Sequence, residues 1–269
     1  VCLTTYGSSV ARICAAARDD GLDLAGVAFV AIGEPYTEAR RNVVANAGAA
    51  AVPAYAFNEA GTLGFACREP QLPDDVHLLS NAYGLVQRRR PVGDGGVAVD
   101  AFLVTSLLAT GPKVLLNAES GDYGTVTRRS CPCLFGDLGL NTHLGDIRSF
   151  EKLTTEGMTF VKTDLLHILE EILPSRFGGG SSDYQLVEEP REGGLSRLTL
   201  LVSPQVDGID PDRLRRAFLE ALGRDGWSGK LMAGAWDRAD AVAVRRAHPY
   251  ATKAGKILPF HLIARDAEK

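Results

Sequence analysis

The residues best equipped for chemistry cluster between Glu119 and Phe160, in the run ESGDYGTVTRRSCPCLFGDLGLNTHLGDIRSFEKLTTEGMTF. Asp122, in Gly121-Asp122-Tyr123-Gly124, is a turn carboxylate able to accept both hydroxyls of a ribose, and aspartate is also an ordinary β-turn residue. Upstream, Tyr55-Ala56-Phe57-Asn58-Glu59 offers a ring that can stack on a base and, four residues later, a carboxylate able to hold Mg²⁺. The alternative there is a plain polar loop. Near the far end of the chain, Lys256 follows Gly255, and a loop lysine of this kind can neutralise charge developing on a phosphate or acyl oxygen. Most lysines are simply solvated. Cys131 and Cys133 join Cys67 and His77 in a Cys₃His set that suits tetrahedral zinc, with His143 as the rival fourth ligand. The Cys131-Pro132-Cys133 spacing is tighter than the usual C-x₂-C, so unligated thiols are the competing reading. All four ligands would come from protein, which makes such a site structural. Cys131 as a catalytic thiol has no oxyanion or triad context around it.

These residues need elements to place them. Val10, Ile13, Cys14 and Ala17 fall on one helical face, and the chain is expected to enter that helix almost directly. Val27–Ile32 is a continuous apolar run, as in a strand covered on both faces. Gly33-Glu34-Pro35 ends it, Thr37 caps a second helix, and Gly48 closes that helix. Ala50–Tyr55 reads as the next strand, so the Tyr55–Glu59 motif sits at a strand end, where ligands of α/β sheets bind. From Val76 to Ser120 three apolar runs separated by Gly and Pro turns read as a mostly antiparallel meander, its last strand at Lys113–Ser120.

After Lys152 the character changes. A short hairpin around Thr154–Gly157 precedes a helix striped by Leu165, Ile168, Leu169 and Ile172. A loop is expected over Pro174–Asp183, then strands at Tyr184–Glu188 and Leu198–Val202. Asp210-Pro211 opens a helix with Leu214, Phe218 and Leu222 inward. A last strand follows at Ala241–Val244. The fold class expected is α/β and α+β: a partial α/β and antiparallel-β region over 1–149, then a small mobile α+β domain over 150–269.

Composition bounds the rest. The 269 residues are 45% hydrophobic and 23% charged, ordinary values for a chain with a sizeable core. A net charge of −4 gives no reason to expect a nucleic-acid partner, and Arg88-Arg89-Arg90 is too short to change that. No apolar run approaches the roughly 20 residues of a spanning helix. Five cysteines, an odd number, do not form a secreted disulfide framework. The default is a soluble cytoplasmic protein without membrane partners.

The order of the motifs is similar to that of the second half of the adenylate-forming (acyl-CoA synthetase and adenylation-domain) superfamily, and within it to the phenylacetate-CoA ligase-like branch. Gly33-Glu34-Pro35 with Thr37-Glu38-Ala39-Arg40 resembles that branch's G-G/A-E-P-x-T-E-x-x-R segment. Tyr55–Glu59 resembles its Y-G-x-T-E motif, with Ala56 and Asn58 replacing the glycine and threonine. Ser120-Gly121-Asp122 looks like T-G-D, and Arg148–Gly157 like the R-S-D-D…R-G hinge, with Phe150 where Asp or Lys is usual. Thr252-Lys253-Ala254-Gly255-Lys256 matches T-x-x-G-K. The Cys67, His77, Cys131 and Cys133 set also resembles positions at which some members of the branch bind zinc.

The resemblance implies ATP-dependent activation of a small carboxylic acid as an acyl-adenylate, with Mg²⁺, and transfer to the thiol of CoA or of a carrier protein. It implies adenine stacking by Tyr55, phosphate contact near Asn58, Mg²⁺ at Glu59, ribose at Asp122, nucleotide contact by Arg148, and the adenylation step at Lys256. Rotation of the small domain would pivot on Arg148–Lys152. The Ser/Thr/Gly-rich phosphate loop of the family is not found, and an N-terminal portion is expected before Val1. The alternatives are a truncated or degenerate, zinc-stabilised nucleotide-binding module and a zinc-stabilised acyltransferase using a thiol.

Overall fold

A computed structural model describes the chain except for residues 93–96, 111–112, 151–153, 156–157, 160–163, 191–195, 225 and 264–269. It divides into two compact units, Val1–Val161 and Lys162–Lys269.

Unit 1 opens with β1 (Cys2–Tyr6), α1 (Gly7–Asp19), β2 (Ala28–Ile32), α2 (Glu38–Asn46) and β3 (Ala50–Phe57). These three strands are parallel, with Tyr6 opposite Ile32 and Ile32 opposite Ala54. Val10, Cys14, Phe29, Tyr36 and Val44 form the core under the two helices. Thr37 caps α2 as expected, accepting the Arg40 N–H at 3.3 Å. The first residues differ from expectation, because Cys2–Tyr6 is a strand and not the approach to a helix. Five residues carry too short an alternation to separate a strand from a lead-in.

The remaining strands turn antiparallel. They are β4 (Gly61–Phe65), β5 (Val76–Leu78), β6 (Tyr83–Val92), β7 (Val97–Ser106), β8 (Ala118–Arg128) and, after the short α3 (Leu134–Asp137), β9 (Thr142–Ser149). The sheet runs β1-β2-β3-β4-β5-β9-β8-β7-β6, so β6 is its last strand and its exposed edge carries Arg88-Arg89-Arg90-Pro91. Leu63, Val76, Phe102, Val104 and Leu144 pack around Tyr55 in a second core. The strand expected at Lys113–Ser120 begins five residues later, at Ala118, and Val114 and Leu116 are exposed. A pair of two-residue strands, β10 (Thr154–Thr155) and β11 (Met158–Thr159), completes unit 1.

Unit 2 starts with α4 (Leu165–His167), a π-helical turn (Ile168–Ile172) and α5 (Leu173–Phe177), one continuous helical stretch that runs into the segment expected to be loop. Leu165, Ile168, Leu169 and Leu173 are buried along it. Then come β12 (Tyr184–Pro190), β13 (Ser196–Val202), α6 (Pro211–Arg224), α7 (Gly226–Arg238), β14 (Val242–Arg246) and β15 (Phe260–Leu262). The sheet order is β14-β13-β12-β15, with the central pair antiparallel and both outer pairs parallel. Helix α7 was not anticipated, since three glycines in GWSGKLMAGAWDR depress helix propensity. Buried Trp236 anchors it instead.

Candidate functional site

The parallel strands deliver two motifs to one sheet edge. Gly33-Glu34-Pro35 leaves β2, and Tyr55–Glu59 leaves β3 beside it. Glu34 accepts the Ser8 N–H at 2.6 Å, the Ser8 hydroxyl at 3.0 Å and Arg40 Nη1 at 3.1 Å, while Arg40 Nη1 also donates to the Pro35 carbonyl at 2.9 Å. Both charged side chains are almost fully buried, so removing either would strand the other, a loss of about 3–5 kcal/mol. A Cβ on Gly7 would stand 2.8 Å from Arg40 Nη1, which keeps the first turn of α1 close against this pair.

Tyr55 is buried (7% exposed), with its ring edge against Phe102, centroids 6.2 Å apart. Its hydroxyl donates to Asp122 Oδ2 at 3.0 Å and lies 3.2 Å from Ser120 Oγ. Burial, reinforced by the Asp122 charge, pushes the phenol far above the ordinary tyrosine range, so the donor persists at any physiological pH. Two candidate residues 67 positions apart are thereby one unit. Asn58 and Glu59 are exposed in the turn between β3 and β4, with the Glu59 carboxylate open to solvent. Glu59 also borders a small hollow shared with Tyr83, Ser106, Lys113 and Leu115.

Arg148 enters from β9, paired with Tyr123 one register from the Asp122–Ser149 pair. Its Nη1 donates to Asp74 Oδ2 at 3.2 Å and to the Ile147 carbonyl at 2.9 Å. Asp74 also accepts the N–H groups of Asp146 at 3.0 Å and Ile147 at 2.9 Å. Burial raises the Asp74 pKa, against the pull of Arg148 and those two donors. Asp146 has φ +50°, a left-handed conformation that aspartate tolerates at some cost. Asp74 holds that kink and thereby aims Arg148. Nothing in the sequence flagged Asp74, because its partners lie more than 70 positions away. Phe150 is buried and its N–H is bonded to the Gly121 carbonyl at 3.1 Å. Of the expected pivot Arg148–Lys152, Glu151 and Lys152 lie outside the described residues.

The Cys67, His77, Cys131 and Cys133 ligand atoms all lie within 4.8 Å of one another. Cys67 Sγ is 3.6 Å from Cys131 Sγ, and Cys133 Sγ is 3.4 Å from His77 Nε2. These are close to the edge of a zinc tetrahedron, about 3.5–3.8 Å for ordinary Zn–S and Zn–N bonds. His77 Nδ1 donates to the Leu140 carbonyl at 2.6 Å, which leaves the Nε2 lone pair facing the thiols. Burial pushes the Cys67 thiol up to about 12. Cys133 moves the other way: burial works to raise it but is outweighed by the Gly136 and Phe135 N–H groups and the neighbouring thiols. The tight C-x-C turn depends on Gly136, whose added Cβ would fall 1.9 Å from the Cys131 carbonyl oxygen.

His143 lies outside this group. Its Nδ1 pairs with Asp75 Oδ1 at 2.8 Å and its ring stands 4.0 Å from that of His77, behind the cluster. Asp75 also binds Arg129. Lys256 belongs to unit 2, on a loop closed by an Ala251–Ile257 bridge. The structure thus brings Tyr55 to Asp122 and assembles the four cysteine and histidine residues.

No family model matches the sequence, and no curated protein does. Solved structures match almost the whole chain. An anthranilate CoA ligase in complex with anthranoyl-AMP is 14% identical with a TM-score of 0.55, over 95% of this chain and 48% of that one. The fold is that of the adenylate-forming ligases. The amide bond synthetase McbA from Marinactinospora thermotolerans (TM-score 0.51, 16% identity) is covered over 50% of its length by 96% of this chain. The same shares hold for the O-succinylbenzoate coenzyme A synthetase of Bacillus subtilis, bound to ATP and magnesium (TM-score 0.51, 10% identity). The chain spans about half the length of these adenylate-forming structures. Among the described residues no helix is long and apolar enough to cross a membrane.

Proposed function

We propose that this chain carries the ribose-binding, Mg²⁺-binding and lysine-bearing part of an AMP-forming acid–thiol ligase of the phenylacetate-CoA ligase-like kind. The observation that carries the proposal is the Tyr55–Asp122 hydrogen bond at a strand-end edge of this fold, since it joins the two motif residues assigned to adenosine. Asp122, oriented by the Tyr55 phenol, accepts the ribose hydroxyls. Tyr55 lines the base site from beneath, and Asn58 reaches the phosphates. Arg148, aimed by Asp74, approaches the nucleotide from the neighbouring strand. Exposed Glu59 is the Mg²⁺ ligand, and that ion supplies charge neutralisation on the phosphates when bound. In the first half-reaction the substrate carboxylate attacks the α-phosphorus and pyrophosphate leaves, with Lys256 stabilising the developing negative charge. In the second, a thiol, that of CoA or of a carrier protein, attacks the acyl carbon and AMP leaves. The small domain turns about the Arg148–Lys152 segment between them. Cys67, His77, Cys131 and Cys133 hold a structural zinc, to which their spacing and the His77 tautomer are suited.

Calorimetric titration of ATP and AMP with Mg²⁺ tests the reading. Saturable binding weakened at least about tenfold by Asp122→Ala supports it. Binding without acid-dependent turnover supports the degenerate nucleotide-binding module instead, and no binding at millimolar nucleotide sinks both.

A further inference from the structure

The loop that carries Lys256 is gripped at its neck by one side chain that no motif includes. Gln185, on β12, is fully buried. Its amide nitrogen donates to the Tyr250 carbonyl at 3.0 Å and to the Leu258 carbonyl at 2.8 Å, and its amide oxygen accepts the Tyr250 N–H at 2.7 Å. Both donors and one acceptor position are therefore spent on the two ends of the 250–258 segment. Within the loop, Thr252 N–H donates to the Lys256 carbonyl at 2.8 Å, Gly255 N–H to the Thr252 carbonyl at 2.8 Å, and Lys256 N–H to Thr252 Oγ1 at 3.1 Å. Gly255 sits at φ +86°, a value that favours glycine. The Tyr250 ring stacks on His261, centroids 5.2 Å apart, just beyond the neck.

Strand β12 does not need this side chain to hold its place, because β13 and β15 pair with it on either side. What the side chain holds is the loop. A leucine or methionine there would fill the volume and leave two carbonyls and one N–H without the partner that ties them to β12. A glutamate would keep the acceptor and lose both donors. Glutamine is the one residue of this length that meets all three groups.

We infer that Gln185 is the positioning residue for Lys256, and that it governs acyl-adenylate formation without touching substrate. This rests on the reading above that Lys256 serves the adenylation step. A group that acts only through Lys256 has a distinctive signature. Its loss slows the half-reaction in which the lysine takes part, spares the other, and adds nothing once the lysine is gone.

The experiment uses the intact protein that contains this chain, with ATP–pyrophosphate exchange on phenylacetate and benzoate for the first half-reaction. Thioester formation from synthetic phenylacetyl-adenylate and CoA reads the second. Gln185→Met is expected to slow exchange on the order of 10- to 100-fold, as a displacement of about 1 Å at a reacting group does, with KM for ATP and thioester formation nearly unchanged. The Lys256→Ala/Gln185→Met pair is expected to be no slower than Lys256→Ala alone. Backbone amide exchange should lose protection over 250–258 and keep it in β12 and β13. Gln185→Glu guards against a folding failure of the first variant. A buried glutamate regains one donor when protonated, so its exchange rate relative to wild type should rise as the pH is lowered from about 8 to about 6. Equal slowing of both half-reactions, or losses that add to those of Lys256→Ala, would overturn the positioning role and leave the ligase reading standing. Absence of exchange in the wild type, or full exchange in Lys256→Ala, would remove the ligase reading and the Gln185 role with it.

Discussion

The cysteine–histidine cluster and the Tyr55–Asp122 edge grow out of the same sheet on opposite plans. At the cluster every donor faces another protein atom. Cys67 and Cys131 face each other, Cys133 faces His77, His77 is fixed from behind by Leu140, and the turn closes only because residue 136 has no side chain. At the edge the arrangement is open: Tyr55 is buried beneath, Asp122 is half-buried, and Asn58 and Glu59 face solvent. Under the proposed reading, four protein ligands leave no position for a substrate on a bound zinc, whereas the half-buried Asp122 lies at the edge where the nucleotide would sit. Rigidity serves stability in the first region. In the second, on the proposed reading, it would serve to orient groups toward a ligand.

The comparison breaks most visibly at Gly136. Gly136→Ala must displace the Cys131 carbonyl, and a loss on the order of 3–5 kcal/mol is expected, lowering the thermal midpoint by about 10 °C. Metal content by atomic emission should fall in parallel from one zinc per chain. An unaltered midpoint would mean the turn carries no stability. Chelation of the wild type should give a similar drop in midpoint, because a site that exists only in the folded chain turns metal-binding energy into folding free energy. The opposite pattern is expected of Asp122→Ala: nucleotide affinity down by about tenfold or more, with a drop in midpoint of only about 5 °C, the share of the Tyr55 hydrogen bond that it also removes. A large stability loss there would erase the distinction between the regions. Tyr55→Phe removes one hydrogen bond to a charged acceptor and should cost about 1.5–3 kcal/mol, seen as weaker nucleotide binding and modest destabilisation together.

The smallest effect is a pH response. The folded-state pKa of Tyr55 is raised, so its stabilising contribution is fully present below the unfolded value near 10 and is lost only as pH rises through the folded one. Nucleotide affinity corrected for ligand ionisation should therefore show no Tyr55-dependent loss between pH 7 and about 9.5. A wild-type decline in that range that Tyr55→Phe abolishes would show the phenol to be less protected than its burial indicates.

Much of this arrangement is legible in the sequence because it is local. The apolar run at β2, the Thr37 cap, the inward face of α6 and the strand-end position of Tyr55–Glu59 follow from periodicity and turn chemistry within a few residues. The Cys67, His77, Cys131 and Cys133 set is legible by residue type, although the sequence could not choose between His77 and His143. The register of β5 against β9 places both histidines side by side, and Asp75 takes His143 away from the thiols. The supporting residues were not legible. Asp74 and Asp75 belong to no motif, and Gln185 is one polar residue in a strand; what distinguishes them is a partner 54 to 74 positions away. Spacing carries no signal across that distance. Strand β1 and helix α7 were missed for the complementary reason: their local patterns are weak, and packing decides.

The place of the basic run Arg88-Arg89-Arg90 in the sheet has a consequence. The run lies on β6, a ten-residue strand at the end of the sheet order, where among the described residues one row of backbone donors and acceptors has no neighbouring strand. Such a row is a template on which a second copy can build. Three successive like charges make the approach of an identical strand repulsive, and Pro91 deletes one of the donors it would need. Charge and proline on an edge strand are the features that disfavour pairing with an identical strand.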